Sequence, residues 1–527
     1  MTRTLPLPRP RGAPARAAAV GALVRPAWAL AALAALPTAS VVIMALTADG
    51  EVWRALAATV LPRYAATTLT LAALVGLGAL LIGVGAAVLT TAFRFPGRRV
   101  FEVALVAPLA FPAYVLAYAY TWALDHPGPV QTLLRDVTGW GARDYWFPEI
   151  RSLGGAALML TLVLYPYVYL LTRAALIQQS VAARQVARTL GCGPWSVLFR
   201  VTLPMARPAI AGGLALVLME TIADFGTVAH FGVQTFATGV YRAWFSMGDR
   251  AAAAQLSVCL LGLALALAWL ERAQRGAARR HEAGRRVERL EDADLAGWRA
   301  WAATAACAVP VLLGFALPVV MLAEMAVEAW AGTLWDRYGG FLVNTLVLAL
   351  AAAGLITGAA LLVAYASRLA PGAAARAAEL AASIGYAAPG SVIAVGLLAP
   401  LAWTDNALDA WAREALGVST GLLLTGSVAG LLLAYLSRFM AAALNAVSAG
   451  FESVRPNLDS SARVLGCDVW GVVARVHAPM LRGSLLTAAL IVFVDVTKEL
   501  PATLMLRPFD FDTLAVQAYR LASDERL

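Results

Sequence analysis

Polar positions along this chain are few and clustered, and between them run apolar stretches of about 20 residues, the length that crosses a bilayer as a helix. The pattern predicts spans near 27–47, 65–92, 100–123, 153–172, 208–231 and 252–270. It predicts further spans near 300–328, 341–366, 377–402, 417–437 and 484–506. Residues 1–26 are rich in Pro and Arg and read as a disordered cytoplasmic tail. The charged segment 271–299 has no apolar run and reads as a cytoplasmic linker between two membrane domains, 27–270 and 300–527. The expected fold is an all-α polytopic membrane protein.

The two domains share a stretch of sequence. Shifted by 275 positions, residues 187–207 return at 462–482 with twelve of twenty-one residues identical, which marks an internal duplication. The shared residues include Ala187/Ala462, Arg188/Arg463, Gly191/Gly466, Cys192/Cys467, Trp195/Trp470 and Pro204/Pro479. Each copy predicts a short helix ending at Gly191 or Gly466, where a left-handed C-cap needs no Cβ. A second helix then starts by different means, with Gly193-Pro194 in one copy and Asp468 in the other. Lying between spans, this shape suits docking into a groove on a soluble partner. Trp195 and Trp470 would be its anchors, with Arg188 and Arg463 set to meet carboxylates. The competing reading is a loop that packs only within the chain.

Composition narrows the function classes. At 61% hydrophobic and 14% charged, with mean hydropathy +0.72, the chain lies far outside the soluble range, where about 25% is charged. The net charge of +9 comes from arginines spread over short loops, which points to membrane topology rather than nucleic acid. With the N-terminus inside, the cytoplasmic segments hold about 28 Arg against about 12 outside. Both copies of the shared motif then fall on the cytoplasmic side, and six spans per unit make the halves parallel repeats. Lys498, the only lysine, sits in Thr-Lys-Glu, so the chain has no Gly-Lys-Ser/Thr phosphate loop and no ATPase site of its own. Its four cysteines and four histidines form no CxxC or HExxH, leaving no support for a metal, a cofactor or an enzyme.

Charges also fall inside predicted spans. Glu220 and Asp224 lie in LVLMETIADFG, and Asp495, Lys498 and Glu499 in IVFVDVTKELP. Glu220 corresponds to Asp495 and Asp224 to Glu499 under the same shift, and each acid pair is spaced to lie on one helix face. A charge at mid-bilayer costs roughly 2.5–3.5 kcal/mol on insertion scales, so such residues find a partner or a wet cavity. Two readings stand: Lys498 neutralises an acid structurally, or the five residues line a cation path or gate.

The segment 241–250 leads straight into a span, whereas its counterpart 519–525 is followed only by Arg526 and Leu527. Eleven spans are therefore expected, with the last helix of the second repeat missing and Leu527 on the side opposite the N-terminus.

The spacing from Ala-Arg-x-Leu-Gly to Pro resembles the EAA loop of binding-protein-dependent ABC importer permeases. Duplicated, it is similar to the fused two-domain permeases of the ferric-iron family, a similarity that runs over essentially the whole chain. By this resemblance Gln185 and Ser460 take the place of the motif's glutamate and Ala187 and Ala462 that of its second alanine. Gly191, Gly466, Pro204 and Pro479 match in full. The stretch Lys498-Glu499-Leu500-Pro501-Ala502-Thr503, continuing through Arg507-Pro508-Phe509, resembles ferric-iron permeases more than thiamine permeases. The resemblance implies two type-I importer-like domains in a bacterial inner membrane and separate ATPase subunits docked on the loops. It also implies a periplasmic binding protein that delivers ferric iron. Thiamine or another small solute is the alternative cargo, and an ion-coupled secondary transporter the alternative class.

Overall fold

The computed structural model describes residues 13–141, 143–179, 181–278, 293–330, 335–452, 454–455 and 457–524. Helices dominate. The one pair of strands among the described residues is Phe93–Arg94 with Ala293–Asp294, two residues each and parallel. Nine helices among the described residues are long and apolar enough to cross a membrane. Two bent pairs, Arg98–Ala110 with Ala113–Thr138 and Val469–Met480 with Arg482–Lys498, bring the number to eleven if each is one span.

Several expected boundaries move, each for a physical reason. The helix Ala13–Thr47 takes in half of the tail read as disordered, because the Ala-rich run after Ala13 favours helix strongly enough to extend the span; residues 1–12 lie outside the described ones. The helix Arg250–Ala278 continues into the expected linker, and the far end of that linker pairs with Phe93–Arg94. Residues 279–292, its middle, lie outside the described residues. Residues 403–416, taken as a connection, form the end of the helix Gly390–Leu416, which stops at left-handed Gly417. Asp405, on that extension, is fully buried and accepts the N–H groups of Leu423, Leu424 and Thr425 at 2.8–3.1 Å. The next span is consequently Val428–Glu452 rather than 417–437.

Three prolines are absorbed without breaking their helices. Leu198–Thr202, Leu312–Ala316 and Val473–His477 are single wide turns, closed by bonds from Leu203, Leu317 and Ala478 to carbonyls five residues back. Each is followed by an X-Pro pair, at Pro204, Pro318 and Pro479. Proline donates no N–H and its ring presses on the carbonyl one turn earlier. Widening that turn by one residue lets the helix continue.

Two compact units form, and they differ from the halves 27–270 and 300–527 by exchanging first helices. One unit joins the chain up to Ile43 to Gly339–Leu514; the other joins Met44–Tyr338 to the segment from Ala515 onward. In the first, Gly396 lies against Pro37 and Val41. In the second, the helices of 298–329 pack on the first half: the Tyr120 hydroxyl donates to the Leu313 carbonyl at 2.7 Å, and Thr304 donates to that of Pro96 at 3.0 Å. Tyr114 likewise holds the segment after 514, donating to the Ala515 carbonyl at 3.1 Å. Within lipid there is no hydrophobic drive between helices, so close backbone contact at small residues takes its place. At Gly213 an added Cβ would stand 2.8 Å from the Cα of Val168.

Candidate functional site

The two copies of the shared stretch fold alike. The first loop helix, Val181–Thr189, turns at Gly191 with φ 84°, and the second, Asn457–Val464, at Gly466 with φ 90°. In each, the following cysteine N–H reaches back to the alanine carbonyl: Cys192 to Ala187 and Cys467 to Ala462, both at 3.0 Å. The glycine N–H bonds the arginine carbonyl, Gly191 to Arg188 at 2.9 Å and Gly466 to Arg463 at 3.1 Å. This paired closure satisfies the last carbonyls of the helix and requires the left-handed residue. Pro194 opens the next helix in one copy; in the other, Asp468 Oδ1 accepts the Gly471 N–H at 2.8 Å.

What faces inward and outward is also repeated. Ala187 and Ala462 are buried. Gln185, Arg188 and Ser460 are exposed, and Arg463 is half-buried. Leu190, Trp195 and Phe199 stand out to solvent in the first copy, Val464, Leu465 and Trp470 in the second. Trp195 is 71% exposed and stacks on Phe199 at 6.2 Å, whereas Trp470 is 46% exposed. Exposed apolar groups thus gather on both loops. Pro204 is half-buried and Pro479 exposed, each following its wide turn.

The copies differ in how they are anchored. In the second, Asp459 lies between two bases: Arg368 Nε at 3.1 Å from Oδ2 and His477 Nε2 at 2.7 Å from Oδ1. Arg368 also donates to the carbonyls of Phe451 and Val454, at 3.1 and 2.9 Å. The fully buried His477 ring packs against Tyr365 and Phe451. Burial alone would raise the Asp459 carboxyl, but the His477 hydrogen bond and the Arg368 guanidinium outweigh it and hold it below the ordinary value. Sequence reasoning missed this cluster. Its signal was a double departure between the repeats, His477 for Thr202 inside the copied stretch and Asp459 for Arg184 just before it. Among the described residues of the first copy, Gln179 Nε2 donates to the Thr202 carbonyl at 2.9 Å. The first copy also runs unbroken from Trp195 to Ala223, while the second bends by 83° between Met480 and Arg482.

The intramembrane acids do not sit on continuous helices, as their spacing suggested. The helix Leu203–Ala223 ends just before Asp224, and Arg482–Lys498 just before Glu499. Each acid turns back to cap a new short helix. Asp224 Oδ1 accepts the N–H of Thr227 and Val228 at 3.0 and 3.1 Å, and its Oδ2 the Thr227 hydroxyl at 3.0 Å. Glu499 accepts the N–H of Ala502 and Thr503 at 3.0 and 2.9 Å, and the Thr503 hydroxyl at 2.7 Å. The longer acid thus caps the same two positions, with the threonine one residue later. Arg438, which the sequence reading did not single out, shares this space: a Cβ on Gly390 would stand 2.5 Å from Glu499 Oε1 and 3.2 Å from Arg438 Nη1. Asp495 and Lys498 pair on their own helix at 3.1 Å. Glu220 is exposed. Among the described residues no three His, Cys, Asp or Glu group to hold a metal ion.

The Asp495–Lys498 pair carries a direct expectation. Lys498→Met leaves Asp495 as an uncompensated charge within the span and should cut the folded protein level several-fold, since a central carboxylate costs roughly 2.5–3.5 kcal/mol on insertion scales. Adding Asp495→Asn should restore it, as read by detergent-extracted, monodisperse protein. Equal levels for all three proteins would show that the pair stabilises nothing.

Known proteins resemble this chain in sequence. The family described as binding-protein-dependent transport system inner membrane component matches residues 79–279. The Fe(3+)-transport system permease protein FbpB 2 of Haemophilus influenzae is 24% identical over 466 residues, 87% of this chain and 83% of the relative. The molybdenum transport system permease protein ModB of Escherichia coli K12 is 30% identical over 193 residues, 34% of this chain and 80% of the relative.

Proposed function

From a chain that belongs to the binding-protein-dependent transport inner membrane components, we infer the permease of an importer for ferric iron, driven by separate ATPase subunits docked on its two loops. The observation that carries this reading is the loop geometry: two copies, each with a left-handed glycine corner, a buried alanine behind it and an exposed Trp ahead of it. A loop that served only internal packing would not present its largest apolar groups to solvent twice. The loops lie on the cytoplasmic side with the N-terminus, and a periplasmic binding protein supplies the cargo from the opposite face. ATP-driven closure of the ATPases moves both loops, and the two repeats alternate between outward- and inward-open states. No bond is made or broken in the cargo.

Ferric iron is favoured over molybdate by extent. The likeness to an Fe(3+) permease covers 87% of the chain, whereas the molybdenum permease accounts for a third of it. The test is reconstitution of the chain with its ATPase and binding protein in proteoliposomes, offering radioactive ferric iron, molybdate and thiamine in turn. ATP-dependent accumulation of ferric iron alone is the expected result. Accumulation of molybdate or thiamine instead would replace the cargo, and uptake without any ATPase subunit would replace the class.

A further inference from the structure

The segments that follow the two loops hold four acids at matched positions, and three of them are occupied. Asp224 and Glu499 each hold two backbone N–H groups and a hydroxyl as caps. Asp495 is neutralised by Lys498 at 3.1 Å. Glu220 is the counterpart of Asp495, yet the position that matches Lys498 in its repeat is Ala223, and the chain has no other lysine. Among the described residues, neither an ion pair nor a hydrogen bond engages the Glu220 carboxylate, which is exposed. Arg207, the other charged residue on that helix, lies about 20 Å back along the axis at 1.5 Å per residue. The duplication has kept the acid in both repeats and the neutralising base in one.

An ionised carboxylate is costly against lipid, so an exposed and unpaired one inside a membrane-crossing segment belongs on a watered surface. We infer that Glu220 is the anionic contact for the cation on the translocation path and sets the preference for a metal cation over an oxyanion. The inference rests on the ferric-iron reading above. A carboxylate oxygen is a hard donor and suits a hard trivalent ion. A single such donor attracts without caging, and passage requires a site weak enough to leave as well as strong enough to enter. The same charge repels molybdate or sulfate.

The test uses the assembled importer in proteoliposomes, with radioactive ferric iron on its binding protein and ATP hydrolysis read in parallel. Glu220→Gln should lower iron uptake at least tenfold while binding-protein-stimulated ATP hydrolysis persists; Glu220→Asp should keep most of the uptake. Ala223→Lys, which recreates the neutral pair of the second repeat, should match Glu220→Gln. Wild-type uptake by Glu220→Gln overturns the inference and leaves the ferric-iron reading standing. So does a loss of stimulated hydrolysis together with uptake, because it would mark a structural role. Wild-type protein that imports molybdate and no iron overturns both.

Discussion

Gly191→Val combined with Gly466→Val is expected to abolish ATP-driven uptake while the protein stays in the membrane near its normal level. Both glycines have positive φ, 84° and 90°, and a Cβ at either would meet no neighbouring atom. Sterics with surrounding residues therefore play no part, and the whole effect lies in the backbone. A left-handed conformation costs a residue with a Cβ about 1–2 kcal/mol, and a β-branched one more. The chain relieves that cost by opening the corner, which breaks the bonds from Cys192 to Ala187 and from Cys467 to Ala462. Both loop helices would then point away from their partner. Because the corners lie at the surface, the membrane helices beneath them keep their packing. Either single change should retain part of the uptake, and the Ala pair should hurt less than the Val pair. Uptake, loop-dependent ATPase retention and membrane level together decide the matter. Full uptake in the Val double mutant would end the docking reading.

The corners were legible in the sequence because their physics is local. A glycine at the end of a short amphipathic helix, copied with its neighbours, needs no knowledge of the rest of the chain. Span lengths were legible for the same reason, since crossing a bilayer is a matter of one segment's apolar length. What failed was anything that depends on where an apolar run stops being one helix. The run 208–231 is long enough and apolar enough to read as one span, but Asp224 turns it by offering its carboxylate to Thr227 and Val228. Hydropathy does not distinguish a continuing helix from a capped restart. The extension to Leu416 was hidden in the opposite way, by polar residues such as Asp405 that are buried against their own loop. The exchange of first helices was out of reach altogether, because neither Pro37 nor Leu313 carries a mark of the half it packs on. His477 and Asp459 were visible as departures from the repeat, and they mattered because both changed together.

Those two residues give the second large effect. Asp459→Ala should loosen the second loop by about 3–5 kcal/mol, the usual cost of removing one partner from a buried charge cluster. The setting supports that figure: the Asp459 side chain is 13% exposed, that of Arg368 20%, and His477 is fully buried. Losing the carboxylate leaves the guanidinium with the Phe451 and Val454 carbonyls and the Phe451 ring, and takes the acid from the imidazole. Ser460→Ala, one residue on and exposed at the position of the motif's glutamate, should cost little by comparison. Limited proteolysis of the 453–482 segment in membranes reads the difference directly, with uptake as the second measure. Asp459→Ala with His477→Thr, the residue of the first repeat, should recover part of the loss by removing the stranded ring. The pH dependence has a fixed sign. The Asp459 carboxyl is held below its ordinary value in the fold, so its stabilisation is fully present above the unfolded pKa of about 4 and is lost as pH falls through the lowered folded value. The wild-type loop should therefore resist protease from neutral pH down to about 4 and open only below that. Asp459→Ala should be cut at every pH in the range. Equal resistance of the two proteins at neutral pH would mean that the second loop is held by its packing alone.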